Sequence, residues 1–420
     1  MPSFSHPNEP LSLKARYVFP VAGEPIPGGV VTIRGPRIVA VGHRPEAGEV
    51  RDLRNVAILP GLINAHTHLE FSNLAEPLGE PGVPLADWVG EVVRFRQSDR
   101  YAPGQAVRLG LQECLASGTT ALGEIAQVGW QAGPFETGMP DATVFLEWIG
   151  LTAERMAQNR IEAERHLAVA SSGWRPGLSP HAPYSVHPAL VHRAVALSAE
   201  RRVPVAMHLA ESREEIELLG SARGPLRGFL EDLGIWNPAI FPPGRRPLDY
   251  LRALAEAHRA LVVHGNYLDD EEIAFLAEHR DTMTVVYCPR THAFFGHAEH
   301  PLPGLLSAGV RVALGTDSRA SSPDLSLLAE MRFVARRFPQ IARRVVLSLG
   351  TRGGAQALGR DHELGTLEPS MLADLAVVAL PDRDADDPHD LLFDSEEPVV
   401  ATWCRGRPFP NGPPHRDVGQ

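Results

Sequence analysis

The chain has 420 residues, enough for a large core plus a smaller unit, and its 44% hydrophobic and 22% charged residues are the proportions of an ordinary soluble globular protein. A formal net charge of −11 without any basic run excludes nucleic acid as a partner on charge grounds, and no stretch of eighteen apolar residues offers a membrane span. The start, MPSFSHPNEPLSLKARYVF, lacks a basic segment followed by an apolar one, so a cytoplasmic location is expected; Cys114, Cys288 and Cys404 are too few and scattered for a disulfide framework or a thiolate zinc site.

In chain order, Val30 to Val41 reads as two strands flanking the turn residues Gly35 and Pro36. Eight short apolar runs follow: Leu62 to Ala65, Thr119 to Leu122, Thr143 to Leu146, Pro176 to Ser179, Val203 to Met207, Ala260 to Val263, Met283 to Tyr287 and Val310 to Leu314. Helical spacing of apolar residues over Ala153 to Ala170, Pro188 to Glu200, Asp269 to Glu278 and Asp324 to Phe338 alternates with them. Alternating strands and helices imply a parallel sheet, and eight repeats imply a closed (β/α)8 barrel of the TIM type.

Gly220 to Pro247, containing WNPAIFPPGRRP, has the composition of an irregular surface excursion placed to cover the barrel mouth. Leu375 to Leu380 and Val399 to Cys404 are again strand-like. The fold expected is therefore an α/β barrel with a small β-sandwich formed from both chain ends: residues 1–59 and 359–420 in the β domain, 60–358 in the barrel.

His66, His68, His208, His264 and Asp317 each fall at or just beyond the C-terminal end of one of these strands. In a TIM barrel that rim carries the active site. His66 and His68, two apart on an extended segment, direct their imidazoles to one side. A lone histidine at a strand end is usually structural; five residues in register are better explained as a site. Nitrogen and carboxylate donors without thiolate suit one divalent ion, Zn²⁺ before Fe²⁺, with a position left open for water.

These residues lie in the segments LPGLINAHTHLE, GTT (118–120), SPHAPYS (179–185), HLAES (208–212), VVHGNYL (262–268), GTDSRASS (315–322) and GTLEPSMLADLAVV (365–378). On them the sequence resembles the amidohydrolase superfamily, in the branch of cytosine, guanine, S-adenosylhomocysteine and aminodeoxyfutalosine deaminases and the triazine hydrolases. The resemblance implies that His66, His68, His208 and Asp317 bind the ion. It implies that His264 hydrogen-bonds the water or the substrate, that Asp317 takes the water's proton and that Glu211 shuttles a proton to the ring. Dinuclear members bridge two metals with a lysine at the fourth strand's end. The sole lysine here, Lys14, lies in the expected β domain, so one metal follows.

The same resemblance places four residues on substrate: Asp87 as a ribose-binding acid, Trp88 stacked on a base, and His181 and Ser321 as further contacts. The competing readings are a helix-capping Asp87, a packing Trp88 and a turn-forming Ser321. A departure stands at VYCPRTHAFFGH (286–297), where Tyr287, Thr291 and His292 replace the branch's usual His, Ser and Asn; this segment is expected to line the pocket, with Arg290 open to an anion or to tying down a loop. The expected activity is hydrolysis of non-peptide C–N bonds, foremost deamination of a purine- or pyrimidine-like heterocycle or nucleoside such as aminodeoxyfutalosine. The alternatives are hydrolysis of an amide, imidazolone or halogenated triazine at the same site, and a non-catalytic binding barrel. A small molecule is the expected partner, and a homo-oligomer is left open.

Overall fold

Each of the eight apolar runs becomes one stave of a parallel barrel: β1 (Leu62–Thr67), β2 (Thr119–Ala126), β3 (Asp141–Trp148), β4 (Trp174–Pro180), β5 (Val205–Leu209), β6 (Ala260–His264), β7 (Met283–Tyr287) and β8 (Val312–Leu314). The computed structural model describes residues 9–46, 48–136, 140–169 and 173–409. Neighbouring strands pair in chain order, and every pairing is parallel. A parallel bridge joins Thr67, the last residue of β1, to Asp317 just past β8. A side-chain staple reinforces the closure: Asn64 donates to Thr316 Oγ1 at 2.7 Å and accepts from the Thr316 amide at 3.1 Å.

Strands with helices outside and side chains inside have no solvent face, which is why they read as unbroken apolar runs rather than alternating ones. Ile63, Ala65, Ala121, Phe145, Ala206, Leu261, Val263, Val286 and Ala313 fill the interior, large residues against small ones. Gly177 on β4 stands opposite Phe145 on β3, and a Cβ there would lie 2.6 Å from the ring, so the aromatic fits only beside glycine.

The four helices forecast from periodicity form at Ala153–Ala168, Pro188–Arg201, Asp270–Glu278 and Leu327–Arg337. Thr152, Asp269 and Ser326 cap three of them by accepting backbone amides. The stretch Gly220 to Pro247 departs from the irregular excursion expected, because it contains a helix, Pro225–Asp232, that buries Leu226 and Leu230. Gly224, at φ +93°, turns the chain, and Pro225 occupies the first helical position, where its missing N–H costs nothing. A glycine–proline pair that reads as a breaker here starts a helix.

Both chain ends build the small β unit. One sheet holds Arg37–Gly42, Val30–Arg34, Leu11–Lys14 and Glu49–Asp52; the other holds six strands, drawing Tyr17–Val18, Ile26–Pro27 and Val56–Pro60 from one end and Leu375–Ala379, Val399–Cys404 and Arg407–Phe409 from the other. Leu13, Val31, Ile33 and Ile38 of the first sheet pack against Val18, Ile58, Leu375, Val377 and Trp403 of the second, which makes a sandwich. Among the described residues no helix is long and apolar enough to cross a membrane.

Barrel and sandwich are pinned by a buried ion cluster at Asp141, the first residue of β3. Its carboxylate meets Arg360 at 2.7 Å, Arg175 at 2.7 Å and Arg405, from the turn after Val399–Cys404, at 2.6 Å. Burial pushes the Asp141 pKa up, yet Arg360, Arg175 and Arg405 together outweigh it and hold the carboxyl below its usual range. A depressed carboxylate contributes stability above its unfolded pKa and loses it as pH falls through the folded value. Because Asp141 and Arg360 are both nearly inaccessible, Arg360→Ala leaves a buried charge short of a partner, with an expected loss of about 3–5 kcal/mol. Urea denaturation at pH 7 checks this, and a loss near zero would show that Arg175 and Arg405 suffice.

Candidate active site

At the rim where the strands end, the motif residues meet. β1 delivers His66, and the next turn delivers His68; their Nε2 atoms stand 3.8 and 3.7 Å from one oxygen, Asp317 Oδ1. The close approach of Gly315 allows this, since a Cβ on it would lie 2.9 Å from the Cβ and carbonyl of His66. The His66 carbonyl in turn accepts the amides of Thr316 and Asp317. Asp317 sits at φ +57°, a strained conformation for a non-glycine residue that turns its carboxylate back over the barrel.

β5 brings His208, whose Nδ1 lies 3.0 Å from the His181 carbonyl. That carbonyl can only accept, so Nδ1 carries the hydrogen and Nε2 presents its lone pair. His208 Nε2 lies 3.4 Å from His68 Nε2, both His66 ring nitrogens are buried without a partner, and burial with neighbouring histidines holds the pKa of His66 and His68 well below the usual value. Three neutral imidazoles and a carboxylate converging with lone pairs unspent are complementary to a divalent cation. His66, His68, His208 and Asp317 therefore fit the ion that the donor types imply.

Glu211 stands on the turn after β5, where Ala210 adopts φ +54°. The Ala210 and Glu211 amides donate to the buried Glu215 carboxylate at 2.8 and 3.0 Å, and Asn266 donates to the Glu211 carbonyl at 2.9 Å. Glu215, within the acidic run ESREEIE, is thereby the brace of this turn. Burial first, and then the Asp317 charge, raise the Glu211 pKa well above the usual carboxylate value. Its Oε1 lies 3.3 Å from His264 Nε2. His264, at φ +71°, is followed by Gly265 at +63°, and its carbonyl is bonded to His300 Nε2 at 3.0 Å. Burial raises Asp317 to about 7, although Ser321 and the Ser318 amide pull the other way.

A cleft of about 690 Å³ opens over these groups. Trp88 and His181 line it as expected, with Trp88 Nε1 donating to the Ala320 carbonyl at 3.2 Å and its ring set edge-on to Phe295. Two other expectations do not hold. Asp87 is exposed in the first turn of the helix Leu85–Arg96 and is not among the residues lining the cleft, because the helical phase that turns Trp88 inward turns its neighbour out. Ser321 is fully buried and does not line it either; its hydroxyl lies 3.4 Å from Asp317 Oδ2 and 3.0 Å from Thr291 Oγ1, and orients the carboxylate from behind.

The divergent segment 286–297 also fails to reach the cleft. Tyr287 is buried against His300, Thr291 backs Ser321, and Arg290 is held by Glu330 at 2.6 Å and Asp324 at 2.7 Å, the reading in which it ties down a loop. The chain after β7 folds into the short helix Pro289–Phe294, which packs against Leu327–Arg337. Residues with no motif to mark them take its place in the lining: Arg96, Gln127, Glu147, and an apolar wall of Val128, Ile149, Phe229, Leu230 and Leu233. Glu147 carried one legible signal, being an acid directly after an expected strand end.

The model of the amidohydrolase family matches residues 57–408. The chain is 31% identical to a 5-methylthioadenosine/S-adenosylhomocysteine deaminase of Desulforudis audaxviator, over 87% of this chain and 84% of that protein. Among solved structures, an aminofutalosine deaminase of Helicobacter pylori in complex with methylthio-coformycin superposes with a TM-score of 0.83 at 24% identity, covering 95% of this chain and 99% of the other. An adenosine deaminase of Xanthomonas campestris with bound zinc gives a TM-score of 0.73 at 25% identity, covering 95% and 92%.

Proposed function

The chain belongs to the amidohydrolase family, and on that premise we propose that its cleft hydrolytically deaminates an amino-substituted purine nucleoside carrying an apolar substituent. One observation carries the reading: His66, His68, His208, His264 and Asp317 converge from four strand ends, and His264 Nε2 stands 3.3 Å from Glu211, a carboxyl whose burial favours its protonated form. The deaminase relatives support the leaving group, and an aminodeoxyfutalosine-type nucleoside falls in the same class. The size of the cleft supports a substrate larger than a base. Its outer wall includes Val128, Ile149 and Leu233, large apolar residues left at least two-fifths exposed, which suits an apolar appendage.

His66, His68, His208 and Asp317 would hold one divalent ion, for which zinc suits the donor set, and the ion when bound makes a water acidic enough to attack at neutral pH. A single ion is supported by the fourth strand's end, where His181 stands in place of a lysine, and by Lys14 lying in the β sandwich, 3.9 Å from Asp52. Asp317 is placed to take the water's proton on its carboxylate. Glu211 is placed to hand a proton to the ring nitrogen beside the amino-bearing carbon, which makes that carbon electrophilic. His264, with Nε2 directed to the same space, steadies the oxygen that adds there. As the C–N bond breaks, the proton held by Asp317 passes to the amino group and the added hydroxyl gives its remaining proton to Glu211; the ring nitrogen keeps the proton it received, so water and the aminated ring give ammonia and the oxo ring with both carboxyls restored.

The test is ammonia release by metal-loaded protein from adenosine, 5′-methylthioadenosine, S-adenosylhomocysteine, guanine and cytosine. Release from at least one purine nucleoside is expected. Chloride from a chlorotriazine, with no ammonia from any of the panel, would overturn the proposal in favour of a halide leaving group at the same site.

A further inference from the structure

Three carboxylates line the cleft among the described residues: Glu211, Asp317 and Glu147. The first two belong to the reacting centre. Glu147, near the end of β3, has no part in the steps above, although its side chain is only 1% exposed. Its Oε2 accepts a bond from Gln127 Nε2, while Oε1 is buried without a hydrogen-bond partner. His181 Nε2 stands 3.9 Å from that free oxygen. His181 Nδ1 is engaged at 2.5 Å by Ser185 Oγ, so the ring is fixed with Nε2 toward the cleft.

A buried carboxylate oxygen with no donor is costly unless something else supplies one. Arg96 does not: its guanidinium is bonded to Glu70 at 2.6 Å and lies 4.0 Å from Glu147. It also stands where a ligand ammonium would be repelled, which favours neutral donors. A second cation among Glu147, His181 and His208 is disfavoured as well. The His208 Nδ1 is spent on the His181 carbonyl, leaving Nε2 alone, and Nε2 belongs to the His66 and His68 set.

We propose that Glu147, with His181 beside it, is the diol-binding carboxylate of this site, accepting a hydrogen bond from one of two adjacent sugar hydroxyls while the other lies against His181. The proposal rests on the nucleoside reading above, and it moves the expected sugar acid from the helix Leu85–Arg96, where Asp87 faces away, to strand β3. Glu147 is thus a specificity residue: it acts on ribonucleosides and is indifferent to rings without the diol.

The experiment compares wild type and Glu147→Gln on the best nucleoside of the panel and on its 2′,3′-dideoxy counterpart, with metal content measured in both proteins. In Glu147→Gln, kcat/KM for the ribonucleoside is expected to fall about 10- to 100-fold, mostly through KM, as for a lost hydrogen bond to a charged group, while the dideoxy substrate changes by less than about 3-fold. Retained activity on the dideoxy compound certifies the fold. Equal losses on both substrates, no loss on either, or release of metal from the variant would each overturn the proposal. So would a wild type that does not discriminate between the two nucleosides, whether or not the variant folds. A wild type that deaminates neither nucleoside overturns the functional reading itself, and the diol proposal with it.

Discussion

His208→Ala empties the ion site: the purified variant is expected to hold less than about a tenth of an equivalent of metal, and deamination to fall by about a thousandfold or more. The effect is this large because His208 is held in readiness before any ion arrives. Its Nδ1 is fixed on the His181 carbonyl, and its Nε2 is aimed at the nitrogen of His68 3.4 Å away. Alanine removes a ligand and leaves His66, His68 and Asp317 to close the site alone. Elemental analysis after dialysis, alongside the ammonia assay, is the measurement. A variant that keeps a full equivalent of metal would show the ion to sit elsewhere, and the assignment of all four ligands would fall together.

Glu211→Gln is expected to do the opposite to the metal and nearly the same to the rate. The amide keeps the shape of the carboxyl and leaves the Glu215 and Asn266 bonds to this turn in place, since those bonds are made by backbone atoms. It cannot give up a proton. Metal content should match wild type, and kcat should fall by about 10² to 10⁴, the span that general acid–base catalysis supplies. Loss of metal in this variant would turn Glu211 from a proton carrier into a ligand. Wild-type turnover would mean that another group protonates the ring.

The two variants separate because of where the residues stand. His208 ends a strand, and the bonds that orient it are inside the barrel wall. Glu211 stands on a turn that would be mobile without Glu215, whose carboxylate takes two consecutive amides. The acid so held faces the cleft and His264 rather than the His66 and His68 pair.

Much of this was legible in the chain. A barrel strand is buried on both faces, so its residues form an apolar run that a sequence displays directly, and all eight runs became strands. The first few residues after such a run emerge at the rim. That rule places His66, His68, His208, His264 and Asp317 at one site before any coordinates, and it applies equally to Glu147, which was passed over only because no motif surrounds it. The two-ended β sandwich was legible for the same reason, from short strand-like runs at each end.

What the chain could not show is which way a helix or a loop faces once packed. Asp87 and Trp88 are adjacent, yet on a helix adjacent residues diverge by about 100°, so one enters the cleft and the other is exposed. Ser321 and the segment 286–297 follow strand ends, as His66, His208 and His264 do, but the chain bends back beneath Asp317 and spends Ser321 and Thr291 on support. Periodicity and spacing are properties of one segment and survive in the sequence. The pairing of Glu147 with His181, the bracing of Glu211 by Glu215 and the apolar wall brought by Pro225–Asp232 are contacts between segments, and they exist only once the barrel has closed.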